Sequence, residues 1–411
     1  MPTKTINALF ALFLTATIAV GADWPQWRGP LRDDISTETG LLKQWPAGGP
    51  PLAWKATGLG EGFSGVSVVG SRIYTMGDLG EAGFLFALDA ANGKAIWSTK
   101  VGKSGGDRPG PRCTPSVDGD QVVVLGQFGD LVCVSAADGK ELWRHNLQSE
   151  FGGKMMSGWG YSESPLVDDG KVICTPGGAQ GTMIALDKKT GAVAWRCKEW
   201  TDNAAYSSII IATVNGVRQY IQLTDASVGG VSPKDGSLLW RAPRPGKTAV
   251  IPTPIFADDS VYVTSSYNIG CNLFKVEKTG SGFAARQVYE NKEMKNQHGG
   301  VVKVGDYLYG HSDGKGWLCQ NFKTGEVVWQ EKDKLPKGSL SCADGLLYLR
   351  AESGAGTVVL LEPTPKGWTE KGRFDQPNRS NKNSWPHPVV SGGRLYLRDS
   401  DMLLCYDVKQ K

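Results

Sequence analysis

Two short runs, NQHGG at 296–300 and SWPHP at 384–388, set His298 and His387 beside glycine or proline that fixes the backbone. An imidazole ionises near neutral pH, so histidines held this way could accept protons or ligate a metal. The plainer role for both is a hydrogen bond to a loop carbonyl, and the four histidines of the chain show no metal-ligand spacing. Two other apparent motifs fail on context. GEGFSG at 60–65 fits the dinucleotide glycine pattern, but the strand-like run VSVVGSRIYT follows where a helix is needed. GKSGG at 102–106 fits both a nucleophile elbow and part of a phosphate loop, yet it lies in a polar loop. Trp97 also stands where the first phosphate-loop glycine belongs.

The elements that must carry any site are repeats. One unit is an apolar run, a glycine turn and a run closed by tryptophan, as in ALDAANGKAIW (87–97), CVSAADGKELW (133–143) and ALDKKTGAVAW (185–195). GVSPKDGSLLW (230–240) and NFKTGEVVW (321–329) repeat it. Upstream of each lies a second unit, such as SVDGDQVVVL or LVDDGKVICT, whose Asp-Gly or Gly-Gly pair suits a two-residue hairpin. Two linked hairpins make a four-stranded antiparallel sheet. First-hairpin turns fall at Gly70, Gly119, Gly170, Gly216, Asp259, Gly305, Gly345 and Gly393. Closing aromatics follow at Trp97, Trp143, Trp195, Trp240, Tyr289, Trp329 and Phe374, one fewer than the turns. The last unit has room for three strands only, and PLAWK, with Trp54, supplies the missing fourth from the other end of the chain. Units of roughly 40 to 50 residues with four strands point to a propeller. The fold expected is therefore all-β, an eight-bladed β-propeller of four-stranded antiparallel blades closed by an N-terminal strand. Trp54, Trp97, Trp143, Trp195, Trp240 and Trp329 are read as packing between blades.

The division expected is a signal peptide at 1–22, a lead-in segment at 23–50 and a single propeller at 51–411. Lys4, the apolar run Ala8–Val20 and the triplet Val20-Gly21-Ala22 fit a cleavable signal, too short to span a bilayer. A periplasmic or secreted protein follows, with no membrane span. The first cysteine is Cys113, so no lipid anchor is expected. The chain carries 45 basic and 41 acidic residues without a basic stripe, so nucleic acid is not an expected partner. Eight scattered cysteines can pair or serve as small buried hydrophobes, and a monomer is expected.

The ALDAxxGKxxW units resemble the PQQ-binding-like propeller repeats, a family that includes quinoprotein alcohol dehydrogenases and the outer-membrane assembly factor BamB. DWPQWRGPLRDDISTETGL resembles the lead-in of quinoprotein-like propellers. The dehydrogenase members imply PQQ with calcium, and acidic loop residues with Tyr206 and Trp385 would have to build that pocket. They also carry adjacent cysteines, which this chain lacks, and no C-x-x-C-H haem motif is present. BamB-like members are closer in length, but most are lipoproteins.

Topology locates the functional face. If the first strand of each blade lines the axis, its entry and the loop between strands two and three share one end of the channel. Entries offer Arg112, Tyr161, Tyr206, Ser207, His298, Trp385 and His387, and loops offer Tyr267, His311 and Arg398. The leading expectation is a module binding a small molecule, glycan or protein on this face, without assigned catalysis. The alternatives are a PQQ-dependent alcohol or polyol dehydrogenase and a BamB-like assembly scaffold.

Overall fold

The computed structural model describes residues 22–280 and 282–410, and all of its regular structure is β. The signal peptide expected at 1–22 lies outside the described residues except for Ala22. Eight four-stranded antiparallel blades succeed one another, with first strands beginning at Ser67, Ser116, Leu166, Ile210, Ile255, Val301, Gly338 and Val389. Each first hairpin turns in two residues at the positions read from the sequence. Asn215 and Gly216 both take positive φ (47° and 79°), the type I′ geometry that matches strand twist. At the first turn Gly70 alone does so (56°), as a type II′ turn needs.

The ring closes as the two chain ends suggest. Leu52–Ala56 pairs antiparallel with Met402–Asp407, setting Trp54 opposite Cys405 and completing the eighth blade. No blade has a core of its own. One apolar cluster joins Tyr74 and Leu85 of the first blade to Val122 and Val132 of the second, and another joins Ala56 and Leu403 across the closure to Ile73 and Leu88.

Every third and fourth strand pair carries a register shift. In seven blades the residue paired just after the bulge is the closing aromatic, and in six of these the skipped residue, such as Leu142 or Val328, is exposed; in the fourth blade it is the partly buried Leu239. The bulge thus re-aims the ring toward the next blade. Trp54, Trp143, Trp195 and Trp329 donate their indole N–H to the carbonyls of Ala90, Lys188, Pro233 and Thr364 (3.1, 2.8, 3.1 and 2.7 Å). A turn glycine lies beneath several of these rings. A Cβ on Gly236 would stand 2.4 Å from Trp195. Trp240 differs: the second hairpin of the fifth blade is long (Gly270–Thr279 and Gly282–Asn291), and Trp240 bonds Gln219 of its own blade instead (2.7 Å).

The seventh blade corrects the sequence reading. Phe374 is not at the closing position: the bulge puts Gly372 opposite Leu360, and Trp45 of the lead-in fills the slot. Trp45 donates its backbone N–H to Lys371 (2.9 Å) and meets Tyr348 and Phe374 edge-on (centroids 5.8 and 5.3 Å). Phe374 still packs on Tyr406 of the eighth blade (4.9 Å).

The lead-in does more than precede the closing strand. From Trp24 to Glu38 it crosses the axis and bonds to the inner strands or their entries in seven blades. Trp24 exchanges backbone bonds with Val68, and Pro25 accepts from Val117 (2.8 Å). Arg32 donates to Ser164 (2.6 Å), Trp27 to the Thr253 hydroxyl (2.9 Å) and Arg28 to Val301 (2.7 Å). Ile35–Ser36 forms a parallel fifth strand on the seventh blade, and the Ser36 hydroxyl donates to Val390 of the eighth (2.8 Å).

All eight cysteines are free and buried. Burial pushes the thiols of Cys113, Cys133, Cys342 and Cys405 up to about 12, so they stay protonated and unreactive. Thiol reagent applied to native protein is expected to label almost none of the eight, and all eight after denaturation. Rapid native labelling would contradict this packing. Trp195→Ala is expected to cost about 3 to 5 kcal/mol through the cavity it leaves. Denaturant unfolding with an unchanged midpoint would count against the inter-blade role of the ring.

Candidate functional site

The lead-in closes one end of the channel, so the axis holds a blind cup. Trp27 forms its floor and is held from below by His387, with ring centroids 4.6 Å apart. The wall comes from the entries to seven blades, including Phe63, Arg112, Trp159, Tyr206, Ile251, His298 and Trp385. Tyr267, from a loop between second and third strands, completes it. The cavity is about 160 Å³, roughly tenfold what one water requires, so it admits a small organic molecule.

Its surface is mostly apolar and aromatic, with a few fixed polar groups. Trp385 is covered on two sides, stacked on Phe63 at 4.0 Å and tilted against His298 at 4.9 Å. Gln297 donates to the Tyr267 hydroxyl (3.0 Å) and accepts from Lys337, which also pairs with Asp313 (3.1 Å). Tyr206 shares a hydrogen bond with Ser157, and burial raises its phenol. The His298 Nε2 faces Glu352 Oε2, but burial outweighs that carboxylate and lowers the imidazole. Arg112 donates to the carbonyls of Trp159 and Arg108 (2.8 and 2.7 Å). Burial lowers its guanidinium; the Asp78 carboxylate opposes that shift from a distance, without a salt bridge to Arg112 among the described residues. The residues lining the cup include no aspartate or glutamate. Among the described residues no group of three or more His, Cys, Asp or Glu is placed to hold a metal.

Of the ten residues singled out on sequence, Arg112, Tyr206, Tyr267, His298 and Trp385 meet in the cup. The other five do not line it. The Tyr161 hydroxyl donates to Pro176 (2.9 Å), and the Ser207 hydroxyl to Pro252 (3.0 Å). His311 lies edge-on to Trp317, with burial lowering its imidazole to about 4. Arg398 is buried and donates to Leu59 and Gly60 (3.0 Å each). His387 is on the axis but beneath the floor, with Nδ1 2.9 Å from Asp34 and Nε2 2.9 Å from the His298 carbonyl. Trp27, Phe63 and Trp159 were missed because they stand outside the repeats that guided the search.

Glu163, in the run YSESP, was missed too. It is buried between the third and fourth blades, accepting from the Thr175 N–H (2.7 Å) and from Gln222 (3.2 Å). Desolvation still raises its carboxyl to about 8. Such a group favours the folded state at low pH, and that contribution declines as pH rises from the unfolded value of 4.5 towards about 8. Glu163→Gln is therefore expected to gain stability relative to the native chain between about pH 5 and pH 8. Denaturant unfolding at both ends of that range checks it, and a constant difference between the two proteins refutes it.

Comparison with known proteins agrees with this fold. The family model described as outer membrane protein assembly factor BamB matches residues 81–331. Among solved structures, BamB from Moraxella catarrhalis aligns over 82% of this chain and 94% of its own at 15% identity, TM-score 0.56. Quinohemoprotein alcohol dehydrogenase from Comamonas testosteroni aligns over 95% of this chain and 81% of its own at 13% identity, TM-score 0.64. At these identities the likeness is one of fold. Among curated proteins none matches the chain.

Proposed function

We propose a function from one premise: the chain belongs to the PQQ-like repeat β-propeller family whose model is described as outer membrane protein assembly factor BamB. It acts as a binding module, and the cup on its axis takes a small ring-bearing ligand. The observation that carries this reading is the blind end. A lead-in that sets Trp27 across the channel turns a passage into a closed, largely apolar site with a few directed polar groups, the usual character of a ligand pocket. Arg112, desolvated and with Asp78 acting on it only from a distance, leaves room for a ligand of negative charge. Export to the periplasm or beyond is part of the proposal, supported by the outer-membrane description of the family.

The dehydrogenase alternative asks whether the cup fits PQQ with calcium. Calcium takes six to eight oxygen ligands, usually with several carboxylates. The lining residues offer none. Trp385, one of the two rings that pocket would need, is already stacked on Phe63 and tilted against His298. The residues present do not fit that pair, and no redox step is derived through it. The scaffold alternative rests on the family description alone.

Calorimetric titration with PQQ, with and without calcium, separates the readings. Calcium is expected to change any affinity by less than about twofold, and Arg112→Met to weaken it about tenfold or more. A calcium-dependent gain of tenfold or more, together with alcohol-dependent dye reduction, would overturn the binding-module reading in favour of the dehydrogenase.

A further inference from the structure

The cup contains a proton acceptor that binding alone does not require. Glu352 Oε2 faces His298 Nε2, and a carboxylate opposite one ring nitrogen keeps the proton there. The other nitrogen, Nδ1, then carries the lone pair and has no partner among the described residues, on a ring that lines the cup. The His298 backbone is pinned as well, its carbonyl receiving His387 Nε2 at 2.9 Å. His387 is held in turn by Asp34, which pairs with Arg28 at 2.9 Å. Lys337 and His311 complete the charged and titratable surroundings of His298. Lys337 is paired with Asp313, and burial holds His311 low. In the same cup, the Arg112 guanidinium feels the Asp78 carboxylate only from a distance and forms no salt bridge among the described residues.

The geometry points to a ligand that is an organic acid ionising near neutral pH through a phenolic or enolic hydroxyl on a ring, taken up as its conjugate base with His298 as proton acceptor. Burial lowers the imidazole, so a hydroxyl of ordinary phenol acidity would keep its proton. In that step the ligand O–H bond breaks and an N–H bond forms at Nδ1. The electron pair stays on the ligand oxygen, Glu352 faces the resulting imidazolium, and the Arg112 cation offsets the oxyanion. Two neighbouring classes fit less well. A carboxylic acid is already ionised at neutral pH and needs no acceptor, whereas an aliphatic alcohol is too weakly acidic for imidazole to deprotonate. The ring follows from the aromatic wall of Phe63, Trp159, Tyr206 and Trp385 above Trp27. This inference rests on reading the cup as a ligand site.

The test uses 4-nitrophenol, whose neutral and ionised forms absorb at different wavelengths, beside 4-nitroanisole, which has no proton to give. Bound 4-nitrophenol is expected to ionise about one pH unit below the free probe, equivalent to about tenfold tighter binding of the phenolate. In His298→Gln the midpoint is expected to return to the free value, and in Glu352→Gln to move part of the way. Melting curves establish that each variant is folded, and a variant that has lost its fold is replaced by His298→Asn. Binding of both probes with no lowered midpoint, or a lowered midpoint that survives the loss of His298, overturns the proton-acceptor proposal and leaves the cup reading standing. Binding of neither probe overturns both.

Discussion

A blade of this propeller cannot cover its own apolar faces. Each sheet has two, and both are buried only when neighbours stand on either side, so an open row of blades would leave the first and last exposed. The pairing of Leu52–Ala56 with Met402–Asp407 removes those ends. The same constraint explains the repeated bulge before the closing aromatic. A ring that must reach the next blade has to leave the register of its own sheet, and the bulge provides that turn without breaking the strand.

The lead-in meets a second demand, because eight inner strands leave a gap on the axis that side chains must fill. Here the filling includes ions. Arg28, Arg32 and Asp34 are buried there: Arg28 donates to a carbonyl of the sixth blade and pairs with Asp34, and Arg32 donates to the carbonyl of Ser164 at the entry to the third. Directed bonds of this kind fix position in a way that apolar filler would not. The floor of the cup, Trp27, and Asp34, which holds His387 beneath His298, therefore come from one short stretch of chain. The cup on one face of the disc thus depends on a segment laid across the other end of the channel.

The architecture was legible because it is periodic. Turn pairs and closing tryptophans recur, and all eight first turns stand where the glycines and aspartates put them. The exception, Gly372, is instructive: its slot is filled from Trp45, more than three hundred positions away, and nothing local to the seventh repeat announces that. The site was half legible. Topology singled out ten residues of which five line the cup, because side chains alternate along an extended entry. Tyr206 and Ser207 were both chosen, though adjacent residues on such a segment face opposite ways. Tyr206 points into the cup, whereas Ser207 turns to Pro252. His387 was correctly placed near the axis, yet only the path of the lead-in shows that Trp27 lies between it and the cup. Phe63 and Trp159 sit in connections without a repeat, where spacing carries no information.

The join between chain ends also imposes an order in time. Met402 lies 350 positions beyond Leu52, the residue that begins its partner strand. At a synthesis rate of about 5 to 20 residues per second, roughly 20 to 70 seconds separate the appearance of the two partners. Throughout that interval the first blade lacks a neighbour on one side, and Trp45 has no seventh blade to enter. Until the last strands arrive, a partial array of blades keeps one uncovered apolar face at each end.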